Sequence, residues 1–292
     1  MDLLITGAGG LLGGRLAQHL AERHRVTLLT HLSDPGLELE SRPCDLRAGG
    51  DRLEVLLDEM APEVVIHCAA ESRPAVFAED PRSARLLNVD APVRIAAWCR
   101  RRDRRLIHFS SDTVYPGEGP ARHEGGPTGP ENAYGHSKLE SERGVLKHLP
   151  HATVMRMSLL YGKPLARGNS FSGWLLERAA AGGPVPVFRD NLRRMLAVSQ
   201  VCDVVEALLE NPHQGIMNLG GGELLSREQF ARRLFQHLGL DQGLLDVRSQ
   251  REVHLAVPLP RDLEMNLECL QAWWGHPLPS VSDGLIREYP LS

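Results

Sequence analysis

The stretch Leu3-Leu4-Ile5-Thr6-Gly7-Ala8-Gly9-Gly10-Leu11-Leu12-Gly13 decides the fold. Leu3 to Thr6 is a short apolar run of the kind that forms a buried parallel strand. From Leu11 to Ala21 the spacing becomes helical, with Leu12, Leu16 and Leu20 on one face. Between the two lie Gly7, Gly10 and Gly13. Glycines at a strand-to-helix turn let the backbone approach a pyrophosphate closely. The helix N-terminus then offers that anion free N–H groups and a positive dipole. A glycine pattern alone also fits a flexible turn, so its place between strand and helix carries the argument.

Outward from this start, strands and helices alternate. Val26–Thr30, Leu39–Cys44 (weakly), Val64–Ala70, Leu106–Ser110 and Thr153–Met157 read as strands. Leu53–Met60, Ser83–Cys99 and the stretch holding Tyr134 read as helices. This predicts an α/β protein with a doubly wound parallel sheet, its strand C-termini along one edge. Residues 1–165 are expected to form that core. Residues 166–292 are expected to supply mainly a smaller α/β cap, with some segments returning to the core. In that part Phe171–Ala181, Val201–Leu209, a helix capped by Ser226, Leu267–Trp274 and Val281–Glu288 read as helices, and Val185–Phe188 and Gly215–Gly220 as strands. His67, inside an apolar strand, is expected to be a core histidine.

The chain has 292 residues, 42% hydrophobic and 24% charged, with net charge −4. That is ordinary for a globular protein and gives no sign of a nucleic-acid surface. The one basic cluster, Arg100 to Arg105, follows a helical pattern and suits a helix C-terminus. No apolar run reaches the roughly 18 residues that span a bilayer, and the start has no basic signal head. Five cysteines without a CxxC pair argue against a disulfide framework or zinc site, so no metal is expected and a reducing cytoplasm fits.

Tyr134-Gly135-His136-Ser137-Lys138 places a phenol and an ammonium one helical turn apart on one face. The lysine charge is expected to ease ionisation of the phenol, and a serine from a strand end, in Ser110-Ser111-Asp112, can share the substrate oxygen. Such a set can deliver a proton to a carbonyl. An ordinary surface Tyr–Lys pair is the plain alternative.

Taken in order, Thr6–Gly13, Cys68-Ala69-Ala70, Asn88, Phe109–Asp112, Tyr134–Lys138 and Arg156–Gly162 resemble the extended short-chain dehydrogenase/reductases, Rossmann-type proteins, in the branch of the dTDP-4-dehydrorhamnose reductases. Ala69–Pro74 with Leu87–Ala91 also resembles the regulatory beta subunit of methionine adenosyltransferase. The resemblance implies that Gly7, Gly10, Leu11, Leu12 and Gly13 cradle the cofactor pyrophosphate. Asp45 and Leu46 would flank the adenine, and Ala69, Ala70 and Ser110 would lie on the nicotinamide side. Lys138 would hold the ribose, Tyr134 would be the acid and Ser111 the catalytic hydroxyl.

Strand two ends Thr30-His31-Leu32-Ser33, without the carboxylate that an NAD site places on the ribose. His31 and Ser33 are therefore expected to donate to a 2′-phosphate, with Arg42 more distant. NADP(H) is the expected cofactor, with NAD(H) left open. The substrate pocket is expected to use Glu71, Ser72, Arg73, Asp112, Thr113, Leu159 and the segment from Asn169 to Trp174, and Arg73 with Arg193 or Arg194 to meet a diphosphate. Trp174 as a core residue is the competing reading. The implied activity is NAD(P)H-dependent reduction of a nucleotide-linked 4-keto-6-deoxy sugar. A dinucleotide-binding regulatory subunit and a sugar epimerase or dehydratase are the alternatives, and a homodimer stays open. A dehydratase wants an acid directly after Asp112, where Thr113 stands.

Overall fold

The computed structural model describes residues 1–31, 35–48, 51–165 and 170–291. Seven strands form one sheet: β1 (Asp2–Thr6), β2 (Arg25–Thr30), β3 (Glu40–Pro43), β4 (Val64–His67), β5 (Arg105–Ser111), β6 (Thr153–Met157) and β7 (Gly215–Leu219). Their order is β7-β6-β5-β4-β1-β2-β3, and every pairing is parallel. Strand order turns at β1 and β4, and the crevice there, outside the strand C-termini, is where such sheets bind ligands.

The pleat sends alternate residues to opposite faces. Leu3 and Ile5 of β1 pack against Leu12, Leu16 and Leu20 of α1 (Leu11–Leu20) and the apolar side of the later helix Val198–Glu210. Leu4 and Val65 face the other way, onto Leu57 of α2 (Arg52–Met60), Ile95 and Trp98 of α3 (Ala91–Arg102) and Val145 of α4 (Ala133–His148). Burying each of these Leu, Ile and Val side chains contributes about 1.5–3 kcal/mol. A third cluster, around Tyr161, Leu175 and Phe230, forms the core of the cap. The helix Val198–Glu210 and strand β7 lie beyond residue 165 yet complete the sheet and its cover.

Two expected elements differ. The strand expected over Val64–Ala70 ends at His67. There the Ala69 N–H leaves the ladder and donates to the Thr6 hydroxyl at 3.3 Å, and the chain turns out to border a groove. The long helix expected over Ser83–Cys99 is broken: Pro81–Arg85 and α3 are joined by a π-turn, Leu86–Asp90. Pro92 has no N–H to give the Asn88 carbonyl, and its ring crowds that turn. The widened turn frees Asn88, whose side chain donates to the Glu71 carbonyl and to Ser137 and accepts from the Glu71 N–H. The arginine cluster closes α3 as expected, Arg101 pairing with Glu54 and Arg102 with Asp58.

Candidate active site

The turn after β1 is where backbone replaces side chains. Gly7 has φ +71°, and a Cβ there would lie 2.6 Å from the Ala69 nitrogen. A Cβ on Gly13 would lie 2.4 Å from the Gly7 carbonyl oxygen. Helix α1 therefore starts hard against the turn, and no side chain caps it. Its first N–H groups face a groove of about 580 Å³ bordered by Gly7, Gly10 and Leu11. Leu12 and Gly13 lie behind, buried in the helix. Further along the groove come His31, Asp45, Leu46 and Arg47, then Ala69, Ala70, Glu71 and Arg73. Ser33 lies outside the described residues. Arg42 points away, pairing with Glu40 on β3. Arg47, which the sequence reading passed over, is bidentate to Asp45 at 2.8 and 3.1 Å and reaches His31 Nδ1 at 3.4 Å.

Leu11 and Ser72 also border a second space, a cavity of about 660 Å³ under the cap. To its wall β5 and the turn after it deliver Ser110, Ser111 and Asp112, and α4 delivers Tyr134, while Lys138, one turn further along α4, is buried and is not among the residues bordering either space. Asn132 caps α4 by accepting from the Gly135 N–H at 2.9 Å, which fixes the first turn and with it Tyr134. The Phe77 ring stands edge-on to Tyr134 at 6.2 Å. Thr113 donates to the Ser111 hydroxyl from both its N–H and its own hydroxyl, at 3.2 and 2.9 Å. Ser110 instead donates to Glu142 at 2.5 Å, although it too borders the cavity.

Burial holds the Tyr134 phenol up at about 12, with the Asp112 charge adding to it and a Ser111 hydrogen bond opposing it. The easing of ionisation expected from Lys138 is not among the influences on this phenol, which burial dominates, and the tyrosine stays a proton carrier at neutral pH. Lys138 is 3% exposed and makes no hydrogen bond among the described residues. Burial lowers it to about 8, while Glu142 and Cys68 pull the other way. His67, buried as expected, bonds Thr6 at 2.8 Å, and desolvation drops it to about 3, so it is neutral.

Glu142 holds the frame behind the site. It pairs with Arg156 of β6 at 2.7 Å, both side chains nearly fully buried. Arg156 donates to the Tyr115 hydroxyl, which donates to Asn218 of β7. This fully partnered network locks α4 to the sheet.

Asp112, Thr113 and Leu159 border the cavity, as does Arg193, whose Nε lies 3.6 Å from Asp112. Arg194 turns away, to the Met265 carbonyl and Glu264. Glu71 and Arg73 pair with one another at 2.7 Å on the groove side and are not among the residues bordering the cavity. Trp174 packs on the cap core, stacked on Phe171 at 6.1 Å, and Phe171 borders the cavity in its place. Asn169 lies outside the described residues. Arg227, at the start of the helix Arg227–Leu238, enters the cavity without having been singled out in the sequence. Its only signal was position, one residue past the Ser226 cap.

The family model described as the RmlD substrate binding domain matches residues 1–288. A probable dTDP-4,6-dihydroxy-2-methyloxan-3-one 4-ketoreductase of Streptomyces antibioticus is 34% identical over 265 residues, 89% of this chain and 84% of that one. Methionine adenosyltransferase 2 subunit beta of Xenopus laevis is 36% identical over 272 residues, 91% and 80% of the two chains. Among solved structures, the dTDP-4-dehydrorhamnose reductase of Bacillus anthracis in complex with NADP superposes with TM-score 0.87 at 23% identity, covering 99% of each chain, which establishes the fold. The chain belongs to the RmlD substrate binding domain family.

Proposed function

We propose that this member of the family is an NAD(P)H-dependent reductase of a nucleotide-linked 4-keto-6-deoxy sugar. The observation that supports it is the pairing of Ser111 and Tyr134 on the wall of a cavity that shares Leu11 and Ser72 with the glycine-floored groove, with Lys138 buried one turn further along the same helix as Tyr134. The groove fits a dinucleotide: a cradle that a Cβ would fill and an uncapped helix N-terminus. Gly7, Gly10 and Leu11 would hold the pyrophosphate, with Leu12 and Gly13 shaping the helix start. Asp45 and Leu46 would flank the adenine, Ala69 and Ala70 the second ribose, and His31 and Arg47 the 2′-phosphate. The bound nicotinamide supplies a hydride. Tyr134, protonated at neutral pH, gives its proton to the carbonyl oxygen. Ser111, its hydroxyl oriented by Thr113, donates to the same oxygen. Lys138, one helical turn along from Tyr134, would carry a positive charge that favours the phenolate left behind. The apolar cavity wall excludes water from the transfer.

The test is NADPH consumption with a panel of nucleotide-linked 4-keto sugars. Turnover with one of them is expected. A second reading rests on the likeness to methionine adenosyltransferase 2 subunit beta: the chain binds a dinucleotide and serves a partner enzyme. Tight NADPH binding with no turnover across the panel would favour it.

A further inference from the structure

We propose that the cavity contains an oxyanion subsite read by Arg227, so that a phosphate or carboxylate of the ligand lodges there; the ligand's being a nucleotide sugar rests on the reading above. Three charged side chains border the cavity: Asp112, Arg193 and Arg227. The first two answer each other. Arg193 Nε lies 3.6 Å from Asp112, and its outer nitrogens donate to the carbonyls of Leu192, Arg261 and Pro260. Its charge is answered and both its outer nitrogens are engaged.

Arg227 is different. Its Nε donates to Asn191 Oδ1 at 2.8 Å, and its guanidinium lies 4.9 Å from the centre of the Phe171 ring. Asn191 is fully buried, and its amide nitrogen is fixed by Gln250 and the Pro260 carbonyl, so its oxygen can only face the arginine. Among the described residues Arg227 has no carboxylate partner, and its two outer nitrogens make no hydrogen bond. The cavity thus carries one positive charge in excess, on a guanidinium clamped from behind. The wall around it is largely apolar, with Phe171, Leu159, Leu255 and Val257. Burial, and after it the Arg193 charge, lower Arg227 to about 9 against the opposing pull of the more distant Asp112 carboxylate, so it is still cationic at neutral pH. An unpaired cation in such a setting is unfavourable until an anion joins it. A fixed fork with two open N–H edges matches a carboxylate or a phosphate.

The diphosphate of a nucleotide sugar and a carboxylate on its sugar ring both satisfy this chemistry. Calorimetric titration of TDP, UDP, UDP-glucose and UDP-glucuronic acid, with saturating NADPH, separates them. Native protein is compared with Arg227→Met, Arg227→Gln and Arg227→Lys, and NADPH binding reports that each variant is folded. If the diphosphate is read, TDP and UDP bind roughly 10- to 100-fold more weakly to the Met and Gln variants, and less so to the Lys variant. If the sugar carboxylate is read, TDP binding holds while the native preference for UDP-glucuronic acid over UDP-glucose disappears. Either result supports the subsite. Unchanged affinities for all four in folded variants, or no binding of any of them to native protein, overturns it. Failure of the reductase reading would appear separately, as absent NADPH consumption, and would leave these affinities untouched.

Discussion

The groove over α1 and the cavity under the cap share Leu11 and Ser72 but recognise ligands by different means. The groove is bordered by successive strand ends of one sheet, and its glycine end, proposed above to hold the pyrophosphate, is bare backbone. What it requires of the sequence there is the absence of side chains. The cavity draws on β5, the start of α4, Phe171, Arg193, Arg227 and the loop around Leu255 to Leu259. It works through side chains that only tertiary structure unites. The junction between them belongs to both, so a change there ought to separate chemistry from binding.

Tyr134→Phe is the sharpest cut. Removing the phenolic proton should lower turnover about 10²- to 10⁴-fold, the usual share of general acid catalysis. NADPH affinity should stay within about twofold. Full activity in this variant, in the NADPH-consumption assay, would remove Tyr134 from the proposed mechanism.

Gly13→Ala should break the groove alone. The new Cβ meets the Gly7 carbonyl at 2.4 Å, backbone against backbone, so the turn itself must shift. Overpacking of this kind costs about 1–3 kcal/mol, which read as affinity is up to the order of 100-fold weaker NADPH binding. Nucleoside diphosphate binding, measured by titration, should hardly change. Parallel loss of both ligands would show that groove and cavity are one cooperative site.

A pH series tests the junction. Lys138 has its proton affinity lowered by burial from 10.5 to about 8. Its ammonium is therefore lost as pH climbs past 8, and kcat/KM for reduction should fall about tenfold per pH unit there. Between about 8 and 10.5 the unfolded chain holds the proton that the folded chain has lost. The contribution of this group to stability therefore rises with pH over that window. Activity and this stability term move in opposite directions, so a falling rate without a falling melting temperature identifies titration and not unfolding. A flat rate from pH 7 to 9.5 would contradict the assignment.

Legibility in the sequence divides along the same line. Leu3–Gly13 disclosed both a strand and the tight glycine turn into α1, because the constraint is local: spacing of apolar residues and a run nearly without Cβ atoms. Tyr134 and Lys138 were legible for the same reason, being one turn apart on one helix. Arg227 and Asn191 were not, since their meeting depends on how the helix after Ser226 packs on the cap. Trp174 fits both wall and core in the sequence, and of the two it packs on the core, while Phe171, three positions earlier, borders the cavity. Helical periodicity tells that a face exists but not which neighbour it meets. Asn88 sat in a segment read as plain helix, and only the π-turn ahead of Pro92 reveals that its side chain fixes the Glu71 loop between the two spaces.

The smallest expected effect lies at the far end of the groove and concerns cofactor choice. The described end of β2 presents His31, with no carboxylate there for the ribose hydroxyls. The cation beside it is Arg47, contributed by the chain after β3 and held 3.4 Å from His31. Its charge is already engaged by Asp45, and that pairing lowers the Asp45 carboxyl, chiefly through the hydrogen bond from Arg47. A half-exposed and half-neutralised arginine can add little, since ion pairs in contact with water contribute at most about 1 kcal/mol. Arg47→Ala should therefore weaken NADPH about 3- to 5-fold and NADH by less than about 2-fold. Arg42→Ala, on the exposed strand beside it, should alter neither. The NADPH effect should shrink in high salt, as expected for a screened phosphate contact. Equal weakening of both cofactors, insensitive to salt, would mean that Arg47 supports the Asp45 loop and leaves the 2′-phosphate to His31.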